Sequence, residues 1–186
     1  MPSKSLYKNT VYNNTFKFGT PSKNITVFYQ PVIYGQEYSS DQTKNNAIEL
    51  YRSTTFKFPN AFIDSEDNGS KFSYYTPDYV IQVKDNIKSE YIILDAKYSE
   101  THVVKNYYFA SLIFKYLFSI NTVKKQDKIL GLYVLCGKHN LNEDIIDAYD
   151  IANQLEFENT KPIACLVPLF ENETCVGYQQ IIKKLK

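Results

Sequence analysis

The order of elements along the chain predicts an α/β fold, a mixed β-sheet core flanked by helices. Three observations carry that expectation. Short β-branched and aromatic runs recur at 25–29, 79–83, 91–94, 132–136 and 163–167. A long apolar stretch with neither Gly nor Pro, 103–120, separates the third run from the fourth. A second helical pattern, 142–155, separates the fourth from the fifth. Strands that alternate with helices form parallel neighbours, so the helix between the third and fourth strands is expected to make a right-handed crossover, with the sheet between helical layers.

In order, residues 1–24 are polar and rich in Asn, Lys and Ser, and they read as an arm, a linker or the cut edge of a larger protein. Ile25-Thr26-Val27-Phe28-Tyr29 is a strand that Pro31 restricts to an edge or to a short length. A helix capped by Ser40 or Asp41 is expected next. Its apolar stripe is Ala47, Ile48, Leu50 and Tyr51, and Pro59 and Asn60 end it. Residues 64–70 are a loop by composition, and strand-like alternation resumes at 71–75. The runs at 79–83 and 91–94 flank a polar connection and pair as a hairpin. Four consecutive apolar residues, Tyr91 to Leu94, make the second strand central and covered on both faces. The 103–120 stretch reads as a helix buried around most of its circumference. A last helical piece holds Ile181, Ile182 and Leu185.

Composition narrows the chemistry. With 186 residues and 44% hydrophobic content, the chain suits one domain, or one with an appendage. A formal net charge of +1 lacks the basic excess of a dedicated nucleic-acid binder, so any such contact must be local. The three cysteines, Cys136, Cys165 and Cys175, include no C-x-x-C pair and suit buried thiols of a cytoplasmic protein. No apolar run reaches the roughly 20 residues of a membrane span, so no membrane partner is expected.

The chemistry-bearing stretch is Thr76-Pro77-Asp78-Tyr79 and, across the hairpin, Leu94-Asp95-Ala96-Lys97. Alternation puts Asp95 and Lys97 on one face of a strand and Ala96 on the other. Pairing of the two strands brings Asp78 near Asp95. Two carboxylates that close repel unless positive charge sits between them. Oxygen ligands favour a hard divalent cation, Mg2+ with Mn2+ as the alternative. The expected metal ligands are Asp78, Asp95 and the Ala96 carbonyl, with positions left for water and a phosphate oxygen. Lys97 is then expected to orient that water or to stabilise charge on the phosphate.

Pro77-Asp78 followed by Asp95-Ala96-Lys97 resembles the PD-(D/E)XK nuclease superfamily over roughly 40–140 of this chain. TPDYVIQV, YIILDAKYS, LIFKYLFSI and GLYVLCGK look like the nuclease-like domains of McrC-type restriction components and related phage-defence proteins. The resemblance implies a restriction-endonuclease-like sheet over 25–186 and Mg-dependent cleavage of DNA to 5′-phosphate and 3′-hydroxyl ends. It also implies an NTPase or DNA-reading partner, and the near-neutral charge adds a homodimer as another way to strengthen DNA binding. The family's further acid sits on a helix before the first core strand, and Glu49 is the nearest candidate here, with Glu37 its rival. Lys105, Tyr108 and Lys115 fall on the following helix, where related enzymes sometimes place groups that face the site or the phosphate backbone. The plainer reading of Lys115 is a lysine whose stem packs while its ammonium reaches water. A rival function is a non-catalytic module that keeps the fold for protein or nucleic-acid binding.

Other motifs fall away. Five residues lie between Gly131 and Gly137, where a phosphate-binding loop needs four, and His139 stands where Ser or Thr is required. His102 and His139 are the only histidines and lack partners at zinc spacing. The 17 tyrosines replace the absent Trp as large core and strand residues, rather than as a base-stacking set.

Overall fold

The computed structural model describes residues 14–19, 23–35, 48–52, 74–138, 146–147 and 163–169. Its main element is a sheet of seven strands. In chain order these are β1 (Thr15–Gly19), β2 (Asn24–Tyr29), β6 (Tyr79–Lys84), β7 (Ser89–Glu100), β9 (Lys128–Lys138), β10 (Ile146–Asp147) and β11 (Ile163–Pro168). Across the sheet the order is β1-β2-β6-β7-β9-β11-β10. Two small ladders stand outside it. β3 (Ile33–Tyr34) pairs with β5 (Tyr74–Tyr75), and β4 (Leu50–Arg52) pairs with β8 (Ile120–Thr122), both antiparallel.

The hairpin forms as its sequence requires. β6 and β7 pair antiparallel from Tyr79↔Leu94 to Lys84↔Ser89. Asp85 makes the turn, its Oδ1 accepting the Ile87 and Lys88 backbone N–H groups at 2.7 and 2.8 Å. Those bonds favour the ionised carboxylate and hold its pKa below the ordinary value. β7 then runs parallel to β9, and β9 parallel to β11. The sheet is therefore mixed, and the connection between β7 and β9 is helical.

That connection, α1, is a continuous helical stretch over 101–118. It holds two π-helical turns, Val104–Tyr108 and Phe114–Phe118. The Phe109 N–H reaches back to the Val104 carbonyl, and the Ser119 Oγ donates to the Phe114 carbonyl at 2.8 Å. α1 is not buried around most of its circumference as expected. Val104, Phe109, Leu112, Tyr116 and Leu117 are buried, while Tyr107, Tyr108, Phe114 and Phe118 are exposed. The aromatic side chains that raise the apolar count lie on the side away from the sheet.

Alternation sorts the sheet into two apolar faces. Val80, Tyr91, Ile93, Leu132, Val134, Ala164 and Leu166 pack on the α1 side, and Ile81, Ile92, Tyr133, Cys165 and Val167 on the other. Burial of each such side chain is worth about 1.5–3 kcal/mol. β7 lies between β6 and β9 with Tyr91, Ile92 and Ile93 fully buried, the central strand its apolar run requires.

Four expectations are corrected. β1 flanks β2, so of the two restrictions set by Pro31 it is the short length that holds, and part of the segment read as an arm is the sheet's outer strand. The helix expected to include Ile48, Leu50 and Tyr51 is absent at its described end. Residues 50–52 are strand β4, held by β8, and the expected start at 40–47 lies outside the described residues. Ile146 and Asp147, read as helical, pair antiparallel with Leu166 and Cys165. In both places backbone pairing with a distant strand outweighs a short local pattern. β7 also runs on to Glu100, past the expected end at 94, and β9 starts at Lys128, before the expected 132. The remainder of 142–155, the loop at 64–70, the last helical piece, Glu37, Cys175 and His139 lie outside the described residues.

Candidate metal and phosphate site

The position of the candidate site follows from the unequal lengths of β6 and β7. β6 begins at Tyr79, opposite Leu94, whereas β7 continues to Glu100. Beyond Leu94, β7 keeps β9 as a neighbour on one side, with Asp95↔Val134 and Lys97↔Cys136 in register. On the other side its backbone has no strand partner from β6. The Ala96 N–H points into that gap and donates to Asp78 Oδ2 at 2.6 Å. Asp78 thus substitutes a carboxylate for the next rung of the ladder.

Asp78 is fixed from its other side as well. The Gln30 N–H donates to the Asp78 carbonyl at 2.7 Å, and Gln30 takes the left-handed backbone conformation, with φ of 47°. That conformation is uncommon for a residue with a side chain, and it lets the chain leave β2 before Pro31 while still bonding Asp78. Pro77 is buried.

Asp95 and Lys97 project from the face that carries Tyr91 and Ile93, as alternation requires. Asp95 is 3% exposed, and its Oδ2 accepts from the Lys97 ammonium. Its Oδ1 accepts from the Tyr116 hydroxyl at 3.1 Å. The Lys97 Nζ also lies 3.5 Å from the Ala96 carbonyl oxygen. Burial, and then Asp95, push the Tyr116 phenol far above its ordinary pKa, so it stays a proton donor at any working pH.

Lys115 does more than reach water. Its ammonium lies 4.8 Å from the centroid of the Tyr116 ring and 5.3 Å from that of Tyr75. Burial lowers its pKa, opposed by Asp95, reinforced by Lys97 and again opposed by Asp78. Lys115 and Tyr116 are consecutive, and both lie within the π-helical turn Phe114–Phe118. Such a turn is a frequent mark of functional positions in helices. Tyr75 packs edge-on to Tyr116, centroids 6.2 Å apart, and Arg52 lies over the Tyr75 ring at 5.0 Å. Tyr116, Tyr75 and Arg52 do not stand out in the sequence. Tyr116 carries one signal, as the neighbour of a lysine in an apolar run. Arg52 carries none, since the β4–β8 pairing across distant sequence positions it.

The structure brings together Asp78, Ala96, Asp95 and Lys97, and it does not bring Glu49 to them in the expected way. Glu49 is not on a helix. Both its carboxylate oxygens accept from Lys124 Nζ, at 2.7 and 2.9 Å, beside the turn that joins β8 to β9. That contact raises the Lys124 pKa. It belongs to the opposite end of β7, where Gln82, Ser89, Tyr91 and Asp127 form a buried polar group and burial pushes the Tyr91 phenol up to about 12. Lys105 and Tyr108 are exposed on α1. His102 Nδ1 lies 3.2 Å from Glu100 Oε2, but among the described residues no group of three His, Cys, Asp or Glu side chains is placed to hold a metal.

The donor set suits a hard cation nonetheless. Two carboxylates and one backbone carbonyl are all oxygens. The Lys97 ammonium already sits against Asp95 and beside the Ala96 carbonyl, so positive charge is accommodated there. Comparison with protein-family models, with curated proteins and with solved structures finds no match to the chain. Among the described residues, no helix is long and apolar enough to cross a membrane.

Proposed function

We propose that this chain is a metal-dependent nuclease with a restriction-endonuclease-like fold, of the PD-(D/E)XK type. It hydrolyses DNA phosphodiester bonds as the catalytic domain of a restriction or anti-phage defence system. The observation that carries this reading is the Asp78 carboxylate pinned on the Ala96 N–H, one residue from the Asp95–Lys97 pair. That geometry gathers two acids, a carbonyl and an ammonium at the open edge of a strand.

Asp78, Asp95 and the Ala96 carbonyl would hold Mg2+ or Mn2+. Such an ion supplies an activated water and draws charge from the phosphate. Lys97, on the same face as Asp95 and beside the Ala96 carbonyl, would stabilise the negative charge that grows on a phosphate held there. Tyr116 keeps Asp95 in one orientation through its hydroxyl. The sheet and α1 hold these groups on rigid elements rather than on loops, which favours a well-defined geometry for attack.

Cleavage of supercoiled plasmid with Mg2+, Mn2+ or EDTA tests the reading. Wild type should cut only with metal, and Lys97→Ala should lose about 10²–10³-fold in rate at a temperature where circular dichroism shows the variant still folded. Equal cutting by the variant would sink the assignment.

The involvement of Glu49 with Lys124 favours a second reading, a non-catalytic module that keeps the fold for binding protein or nucleic acid. Calorimetric titration separates the two, since the binding module has no need of Mg2+ or Mn2+ at millimolar levels. An NTPase or DNA-reading partner, or a homodimer, would strengthen the weak DNA affinity expected of a chain of net charge +1.

A further inference from the structure

We propose that Lys115 and Arg52, both seated on the ring of Tyr75, form a second phosphate-binding position beside the Asp78–Asp95–Lys97 cluster, for a neighbouring backbone phosphate of the nucleic acid. The inference rests on the nuclease reading and says where the rest of the substrate's backbone lies.

Two cations share one aromatic ring. The Lys115 ammonium is 5.3 Å from the Tyr75 centroid and the Arg52 guanidinium carbon 5.0 Å, so the two lie within about 10 Å of each other. Like charges that close repel, and the ring alone offsets only part of that. Among the described residues, neither cation has a carboxylate within salt-bridge distance. The Arg52 Nε is buried, and among the described residues no acceptor holds the guanidinium through that nitrogen. Both groups are half-buried rather than extended into water.

The pair is also joined to the acidic cluster. Tyr75 packs edge-on to Tyr116, the Tyr116 hydroxyl donates to Asp95, and the Lys115 ammonium lies in the field of Asp95, Lys97 and Asp78. An ammonium and a guanidinium, held by aromatic faces with their charges unspent, are suited to a phosphate. Any anion bound there lies one aromatic pair away from Asp95. A strand whose scissile phosphate sits at Asp78 and Asp95 therefore has a place for another.

The test is binding of a labelled DNA duplex by fluorescence anisotropy in EDTA, over a series of salt concentrations, with plasmid cleavage in Mg2+ measured in parallel. Removing one cation that neutralises a phosphate should reduce the slope of log K against log salt by about 0.9. Lys115→Met and Arg52→Gln should each show that reduction with several-fold weaker binding, and Lys115→Arg should restore the wild-type slope. Slopes unchanged in variants that melt as folded proteins overturn the proposal, as does a wild-type chain that does not bind DNA. If Arg52→Gln fails to fold, the Lys115→Met and Lys115→Arg pair decides alone. Slopes that change without any Mg2+-dependent cutting overturn the nuclease reading and leave the phosphate position standing. Cutting that depends on Lys97 with unchanged slopes does the reverse.

Discussion

Tyr116 is a buried phenol whose hydroxyl donates to a buried carboxylate, and that makes it the most informative single side chain for the integrity of the site. In Tyr116→Phe the ring and its packing remain, but Asp95 is deprived of a donor and has little access to water. We expect destabilisation by about 1.5–3 kcal/mol, read as a lower urea midpoint at unchanged m-value. Lys115 behaves in the opposite sense. Burial lowers its folded-state pKa below the ordinary 10.5, so the unfolded chain binds more protons between the two values and stability rises with pH across that window. Below it the charged lysine is a standing cost. Lys115→Met should therefore melt at a higher temperature than wild type near neutrality, and the gap should narrow as the pH approaches 10.5. A gap that is constant with pH would remove burial of the charge as its cause. Asp78, Asp95 and Lys97 were legible in the sequence because strand alternation and hairpin pairing are local rules. Arg52 and Tyr75 were not, since their meeting depends on ladders that join distant segments.

At the scale of elements, the long strand β9 must accept two parallel neighbours, and Gly131 is where this is tightest. Leu130 is an extra residue in the β7–β9 ladder, where Tyr91↔Ile129 is followed by Ile92↔Gly131. On the other side of β9, a Cβ at Gly131 would meet the Ile163 carbonyl oxygen at 2.7 Å and the Ile163 Cβ at 3.2 Å. Backbone on a paired strand has little room to yield. Gly131→Ala is expected to destabilise by about 1–3 kcal/mol in chemical denaturation. The apolar run 132–136 begins just after Gly131 in the sequence, yet Gly131 lies inside β9, so the element's true length was hidden by its composition. Leu50 and Ile146 were misread for a related reason. Over two or three residues, apolar spacing suits a helix and a buried strand alike, and only the partner strand decides. The two π-helical turns of α1 left no mark in the sequence.

At the scale of the molecule, α1 packs on the sheet face that also bears the acids, so the core and the candidate site are two parts of one surface. Val80, Tyr91 and Ile93 fill the middle, and Asp78, Asp95 and Lys97 continue the same rows beyond the end of β6. A ligand that binds this edge should stabilise the whole fold. Mg2+ or Mn2+ at 100 times its Kd should add about 2.7 kcal/mol, seen as a rise in Tm that Asp95→Asn abolishes. A Tm insensitive to either ion would argue for the non-catalytic reading. The mixed α/β architecture was legible from the spacing of apolar runs. The outer strands were not, since β1 and β10 are short and lie in polar surroundings that suggest linkers and caps.

The Lys97 ammonium against Asp95 has a consequence for how the protein is kept between encounters. A site of bare carboxylates would depend on an ion to hold it together, as small zinc domains do. Here the chain supplies its own counter-ion to the buried Asp95, so this end of the sheet is neutralised without help from solution. On the proposed reading, a cation that took the place of that ammonium would leave Lys97 free for a phosphate, and readiness of the site would then follow occupancy by the cation.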